Sequence, residues 1–279
     1  MSLRILNASP REGAAWVSRG FALFLKKPLA FSALFALFLF AAMVMLVLPY
    51  IGPVLLLMAL PLLGLGFMIA ARSALGAGPV HVGQMIEPLR GGTETAASRR
   101  TQLLQLCGLY AVATALVMLA SDAIDGGAFE KLQVLLATAR DANKQRELDE
   151  LLADDGLLQG LLLRVSGTAL LSIPFWHAPA LVWWQGQGIG QSLFSSTLAC
   201  WRNRGAFLVY ALAWTVTIVV FAVVAGGVFA LLGMPQLVTL AAVPAGLMFS
   251  TAFYVSLLFT YQGCFGSDET QADGAPTPE

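Results

Sequence analysis

The sequence predicts an all-α fold: an integral membrane bundle of six spanning helices with amphipathic helices at its cytoplasmic interface. Of 279 residues, 58% are hydrophobic and 11% are charged, whereas a soluble domain carries about 25% charged residues. Six apolar runs account for this difference, and each is long enough to cross about 30 Å of hydrocarbon. These runs cover residues 29–48, 51–71, 103–120, 161–184, 206–232 and 237–261.

The chain opens with an amphipathic segment that precedes the first span. One half of its helical wheel holds the apolar side chains Trp16, Val17, Phe21, Phe24 and Leu25. This pattern is typical of a helix that lies in the membrane interface. Lys26 and Lys27 are then expected to meet anionic headgroups, at about 1 kcal/mol each. Pro28 ends this helix and turns the chain into the bilayer.

The first two spans form a tight hairpin around residues 49–53. The first apolar run begins only near residue 29 and is about 20 residues long, whereas the apolar region of a signal peptide has about 7–15 residues. We therefore expect the first run to be retained as a span.

The amphipathic segment is repeated before the fifth span, at residues 190–205. Gly190 aligns with Gly13, Leu193 with Trp16, and the segment again ends in basic residues. A degenerate copy occupies residues 83–90, where a proline and two glycines stop it early. The pattern predicts three units, each an amphipathic helix followed by a hairpin of spans. The alternative is that each helix is simply an anchor placed before a span.

Basic residues predict the orientation of the bundle. Eleven of the sixteen lysines and arginines precede the first span or lie between spans two and three or four and five. The other five lie in or next to the long loop at residues 121–160, which also holds nine of the sixteen acidic residues. Because Lys and Arg resist translocation near span ends, both termini are predicted to be cytoplasmic.

The long external loop at residues 121–160 has apolar residues at helical spacing. It predicts one or two exposed helices near the outer membrane surface. Two interpretations stay open: a solvated helical hairpin that joins two spans, or a docking element for a membrane or periplasmic protein partner.

The fourth span holds the densest polar chemistry of the six. Pro174 and Pro179 are expected to kink it, because each lacks a backbone N–H. Between them lies His177, the ionisable residue that is placed well inside a span. Such a residue indicates a functional site, but a neutral histidine can instead bond a carbonyl that a proline has freed, or hold a neighbouring helix.

Further interface residues follow the fourth span. The pattern assigns to the inner aromatic belt and its cations the residues Trp183, Trp184, Trp201, Arg202 and Arg204.

Other classes of site find no support in the sequence. The net charge is zero and no segment is strongly basic, so no nucleic-acid partner is expected. Cys107, Cys200 and Cys264 have neither metal-ligand nor paired spacing. We expect no metal, no cofactor and no enzymatic activity.

The fourth span and the segments around it resemble a bacterial family of uncharacterised six-span inner-membrane proteins. The resemblance rests on Pro-Phe-Trp-His-Ala-Pro-Ala-Leu with the following Trp-Trp, Gln-Gly and Gly-Gln-Ser-Leu-Phe-Ser-Ser, and on the N-terminal Gly-Ala-Ala-Trp to Lys-Lys-Pro segment. It covers most of residues 10–265. More distantly, the chain is similar to membrane domains fused to glycerophosphodiester phosphodiesterases. The resemblance implies an inner-membrane location and assigns no catalytic residue.

The sequence thus predicts one membrane domain over residues 1–266 and a disordered acidic tail over 267–279. The favoured function is a non-enzymatic component that organises the envelope, lipid or a partner. The alternative is a transporter or channel for a small apolar or amphipathic solute, which uses the kinked span beside His177.

Overall fold

The computed structural model describes residues 4–90, 93–138, 142–234 and 236–266, and the predicted tail at 267–279 lies outside them. Twelve α-helices follow one another in the described residues: α1 Pro10–Lys26, α2 Pro28–Leu46, α3 Ile51–Leu75, α4 Gly83–Ile86, α5 Glu94–Asp125, α6 Ala128–Thr138, α7 Ala142–Leu152, α8 Asp155–Phe175, α9 Ala178–Gln185, α10 Ile189–Arg202, α11 Arg204–Leu231 and α12 Leu237–Cys264. A short 3₁₀ turn, Glu87–Leu89, follows α4, and the strands β1 Arg4–Ile5 and β2 Phe265–Gly266 lie near the two ends.

Six apolar stretches are long enough to cross a membrane, and each overlaps one of the predicted spans. They are α2, α3, α5, the α8–α9 pair, α11 and α12. The all-α, six-span prediction is therefore confirmed. The third and fourth stretches are longer than predicted because their helices continue into the connecting segments at both ends.

The hairpin between α2 and α3 requires a glycine at its closest approach. Tyr50 has a positive φ of 63° in the turn. A Cβ atom added to Gly52 would lie 2.0 Å from the carbonyl oxygen of Met45, so the two helices cannot meet this closely with any other residue.

The protein core is concentrated at the end of the bundle where α3, α9 and α12 terminate, which we term the collar end. The buried residues of α12 all lie from Thr251 onward, and those of α11 lie in its first three turns, up to Trp214. Towards the opposite end the helices expose mostly apolar side chains, as expected for surfaces that face lipid.

The amphipathic helices link the three repeat units into a closed ring. α4 packs on α3 of the first unit, and α10 packs on α8 and α9 of the second. α1 packs on α11 and α12 of the third unit. Each helix thus contacts the spans of the preceding unit, and the first unit contacts the last, which favours three related units over unrelated anchors.

α1 lies between α11 and α12, and Trp16, Val17 and Phe24 of its apolar face are buried inside the protein, whereas Leu25 is 65% exposed. A Cβ on Gly13 would lie 2.1 Å from the carbonyl oxygen of Ala206 in α11, and one on Gly20 would lie 2.5 Å from the Cβ of Ser256 in α12. The prediction that this apolar face enters the headgroup region is therefore wrong for its buried residues. Sequence periodicity marks a face that avoids water but does not say whether lipid or protein covers it.

A two-stranded ribbon joins the two ends of the described chain. β1 pairs antiparallel with β2, so that Arg4 opposes Gly266 and Ile5 opposes Phe265. The buried amide of Asn203 reinforces the ribbon: its Oδ1 accepts from the N–H of Ala8 at 2.6 Å, and its Nδ2 donates to the carbonyl of Leu6 at 3.0 Å.

The long loop folds into two helices, α6 and α7, which build a small core of their own. Leu132, Leu135 and Leu148 pack there against Leu157 of α8. At its base the Arg164 guanidinium lies 3.3 Å from the buried carboxylate of Asp125 and stacks over a phenylalanine ring. The helical prediction is confirmed, while a protein partner for this hairpin stays a prediction.

Candidate functional site

The fourth span breaks where the sequence places its prolines. α8 ends at Phe175, one residue after Pro174, and α9 begins at Ala178 with Pro179 in its first turn. Pro179 is thus at a position that needs no intrahelical N–H bond, whereas Pro174 lies inside the last turn of α8. The predicted kink is confirmed and becomes a full interruption at His177.

Ser196 of α10 repairs the backbone at this break. Its hydroxyl accepts a hydrogen bond from the N–H of His177 at 3.0 Å and donates one to the carbonyl of Ile173 at 3.0 Å. In an unbroken helix this N–H and this carbonyl would bond each other directly. The Ser196 hydroxyl is therefore inserted into one rung of the helix, and it fixes α10 to the break.

The His177 ring lies in an aromatic enclosure and is fully buried. Its centroid is 6.0 Å from that of Phe207, 5.9 Å from that of Tyr261 and 5.3 Å from that of Phe265. Neither ring nitrogen has a hydrogen-bond partner among the described residues. The suggestion that the imidazole bonds a freed carbonyl is wrong, because neither ring nitrogen has a partner among the described residues, and the ring instead packs against Phe265 of β2.

A central cavity of about 180 Å³ lies on the other side of the broken span. Its walls come from α3, α5, the α8–α9 pair and α12, and are mostly apolar. Met68, Ala180 and Leu257 line it and are buried, whereas Leu60, Ser172 and Tyr254 line it and are partly exposed. His177 is not among the lining residues, although Trp176 and Pro179 are.

A cluster of polar and aromatic groups lies one helical turn beyond the cavity, at the collar end. The Arg72 guanidinium carbon is 5.3 Å from the Trp184 ring centroid, and that ring is 5.1 Å from the ring of Tyr261. The Tyr261 hydroxyl accepts a hydrogen bond from Gln185 Nε2 at 3.3 Å. Beside them, Arg99 donates to the carbonyl of Trp183 at 3.0 Å.

The residues predicted to lie at the lipid interface separate into two groups. Trp16 is fully buried against Phe207 and Tyr210, so its assignment to the lipid interface is corrected to the core. Lys27 is partly buried and donates to the carbonyl of Gly78 at 2.6 Å, which ties the loop after α3 to the start of α2. The side chains of Trp183 and Trp184 are half-buried.

The remaining predicted interface residues are exposed. Lys26, Arg202 and Arg204 lie on the surface, and Trp201 is 67% exposed with the Arg204 guanidinium 5.8 Å from its ring centroid. This placement is compatible with contact to headgroups for α10, which keeps Phe194 exposed as well.

Sequence reasoning missed the two polar residues that organise this region, Ser196 and Asn203. Ser196 belongs to a Ser-Ser-Thr run that is common on amphipathic helices, and Asn203 is aligned with Lys26 in the repeat. The only available signal was that Asn203 interrupts a basic pair next to a helix end, where side-chain amides often bond free backbone groups.

The thiol of Cys200 borders the same break, with its sulfur 3.8 Å from the carbonyl oxygen of Ile173. Burial raises the pKa of this thiol to about 12, and its hydrogen bond with Ser196 opposes that rise. The thiol is thus protonated at neutral pH. All three cysteines are free and buried, and the described residues contain no group of three or more potential metal ligands.

Comparison with known proteins places the chain among bacterial membrane proteins. It is 31% identical over 280 residues to a probable inner membrane protein of Burkholderia thailandensis, and the match covers 98% of each chain. No protein-family model matches the chain, and no solved structure does. The more distant likeness to membrane domains fused to phosphodiesterases stays a prediction.

Because the match covers 98% of the chain, it extends over all six span segments, including the broken fourth span. The orientation of the termini across the membrane stays a prediction from the basic residues. The chain is a multi-pass membrane protein, and it belongs to the family of the probable inner membrane protein of Burkholderia thailandensis.

Proposed function

We propose that this protein is a non-enzymatic component of the inner membrane that binds and organises lipid, and that its central cavity holds an acyl chain. The observation that carries this proposal is the apolar cavity bordered by four of the six span segments. At about 180 Å³ it resembles in size an engineered apolar cavity of about 150 Å³, which stays dry and binds benzene.

The chemistry of the cavity wall supports an apolar occupant. The Ser172 hydroxyl on the wall bonds the carbonyl of Ala169 within its own helix, so it offers no free donor. The indole N–H of Trp176 donates to Thr260 at 3.2 Å. Since these two polar groups already have partners, they offer water few hydrogen bonds, and acyl chains are the abundant apolar molecules around the bundle.

A cavity-filling variant tests this proposal. Gly64 lines the cavity, with open space beyond its backbone except for a Leu257 methyl group at 3.6 Å. Purified native protein should retain phospholipid that is detected by native mass spectrometry, and Gly64→Leu should retain less. Gly226→Leu is the matched control. Gly226 lies on a different span, and a Cβ added there would meet nothing within 4 Å.

Two results would contradict a lipid-filled cavity. One is native protein that retains no lipid after mild detergent extraction. The other is an equal loss of lipid in both glycine variants, which would indicate a general effect of the added bulk.

Transport of a small apolar or amphipathic solute is the second candidate function. It is favoured by one observation: the interrupted fourth span borders the cavity through Trp176 and Pro179, as discontinuous helices do in many transporters. The sealed position of His177 speaks against a path along that residue. If solute or lipid crosses the membrane of proteoliposomes no faster than that of protein-free vesicles, transport is excluded. That result would leave the lipid-retention test of the first proposal unaffected.

A further inference from the structure

The collar-end wall of the cavity and the Arg72 cluster lie on the same faces of the same three helices. Met68, Ala180 and Leu257 line the cavity on α3, α9 and α12. The residues four positions further along these helices are Arg72, Trp184 and Tyr261. Residues at i and i+4 share a face and are separated by about 6 Å along the axis. An elongated molecule can thus contact both layers.

Arg72 offers a cation that the described protein does not neutralise. The ion pairs of the described chain join Arg19 to Glu12 and Arg164 to two aspartates, so none involves Arg72. Its side chain is exposed in the last turn of α3, and its contact is the Trp184 ring. Two other cations at this end, Lys27 and Arg99, donate to backbone carbonyls.

The neighbouring groups complete a surface for an anionic headgroup. The Tyr261 hydroxyl accepts from Gln185, which leaves its own hydrogen free to donate. Arg99 adds a second positive charge beside the Trp183–Trp184 pair. Indole and phenol rings are favoured at the level of lipid headgroups, and guanidinium groups bind phosphate through two parallel N–H groups.

We propose that the molecule is an anionic phospholipid from the leaflet at the collar end, with its phosphate at Arg72 and one acyl chain in the central cavity. This inference rests on the proposed function, because the same cavity holds the chain. It adds a selection by charge: the Arg72 cluster favours an anionic headgroup over a zwitterionic one. A lipid in that leaflet points its chains toward the membrane centre, where the cavity lies.

Charge selection is tested by comparing two lipids with identical acyl chains. Native mass spectrometry of the full chain in a neutral detergent would measure binding of phosphatidylglycerol and phosphatidylethanolamine. One basic residue near a membrane surface contributes about 1 kcal/mol, which is a preference of roughly fivefold for the anionic lipid. Arg72→Gln should reduce that preference to near unity and leave binding of phosphatidylethanolamine unchanged.

Arg11→Gln is the matched control, because Arg11 is an exposed arginine at the same end that does not border the cavity. It should keep the native preference. Equal binding of the two lipids by native protein would overturn the selection by charge, and so would equal losses in the two arginine variants. Water-soluble glycerol phosphate should displace the bound lipid less effectively than intact anionic lipid does. Equal displacement would show that the acyl chain contributes nothing to binding.

The glycine variant separates this inference from the proposed function. If Gly64→Leu loses both lipids and native protein binds them equally, the cavity holds a chain but Arg72 does not select the headgroup. If Gly64→Leu loses neither lipid, the cavity is not the chain site and both proposals fail. Gly64→Ala, whose Cβ meets only ordinary contact at 3.6 Å, shows that the position tolerates a side chain.

Discussion

Replacing Ser196 by alanine should open the fourth span at its break. The hydroxyl bonds two backbone groups that have no helical partner, the N–H of His177 and the carbonyl of Ile173, each at 3.0 Å. A buried donor or acceptor that loses its partner costs about 1–3 kcal/mol. The carbonyl keeps weaker contacts, a 3.5 Å bond from Trp176 N–H and a 3.8 Å approach of the Cys200 sulfur.

The Ile173 carbonyl keeps these weaker contacts in the variant, whereas the His177 N–H is left without a partner. We therefore expect Ser196→Ala to lose about 2–4 kcal/mol of stability. In a chain of this size that loss lowers the unfolding midpoint by on the order of 5–10 °C. Circular dichroism in one fixed detergent would measure the midpoint. Hydrogen exchange would measure the local effect, with faster exchange at the His177 amide and little change in α2.

Ser195 provides the matched control on the adjacent position of α10. It is partly exposed, and its hydroxyl has no hydrogen bond to a described residue. Ser195→Ala should leave both the midpoint and the exchange near the native values. The reasoning is refuted if the two alanine variants behave alike, or if Ser196→Ala unfolds normally and its His177 amide exchanges at the native rate.

Three further predictions concern other parts of the bundle. Gly13→Ala should weaken docking of α1 and lower the unfolding midpoint, because its Cβ would lie 2.1 Å from a carbonyl oxygen. Gly190→Ala is the control at the equivalent repeat position. Its Cβ meets nothing within 4 Å, so this variant should be neutral or slightly stabilising. Asp125→Asn should cost about 1–3 kcal/mol, because it removes the buried carboxylate beside Arg164 while Arg164 keeps its contact with Asp122. Asp122→Asn, at a carboxylate that is 54% exposed, should cost under about 1 kcal/mol in the same denaturation assay. The raised pKa of Cys200 adds stability that is complete below pH 9.0 and is lost as the pH rises toward about 12, because the unfolded thiol releases its proton first. Cys200→Ala should therefore show a smaller fall in midpoint than native protein between about pH 8 and about pH 10.5, and an identical fall would contradict this.

The six spans were predictable because the bilayer fixes their length and composition, and lipid leaves the chain no other way to satisfy its backbone. The break at Pro174 and Pro179 was predictable for a similar reason, since proline removes a backbone donor wherever it stands. The placement of Trp16 was not. Its helix has an apolar face that suits either lipid or α11 and α12, and periodicity does not distinguish them.

The sequence predicted a polar site at His177, Pro174 and Pro179, and of these three residues Pro179 borders the cavity. His177 drew attention as an ionisable residue within a span, yet its ring faces an aromatic enclosure, while the cavity lies beside Trp176 and Pro179. Which way a side chain points after a helix break depends on dihedral angles that sequence spacing does not give. The contacts of Ser196 and Arg72 join segments that are distant in the chain, and the spacing of residues in the sequence does not predict such contacts.

The position of α1 has a consequence for the order of events during synthesis. Trp16 leaves the ribosome before its partners on α11 and α12 are made. At roughly 5–20 residues per second, the chain needs about 10–40 s to make the roughly 190 residues that separate Trp16 from Phe207. During that interval the apolar face of α1 has no protein partner, and the membrane interface is the place where it avoids water. The amphipathic character of α1 is hidden in the finished bundle, but it keeps the helix out of water while the bundle is incomplete. The ribbon between β1 and β2 can form only when α12 is in place.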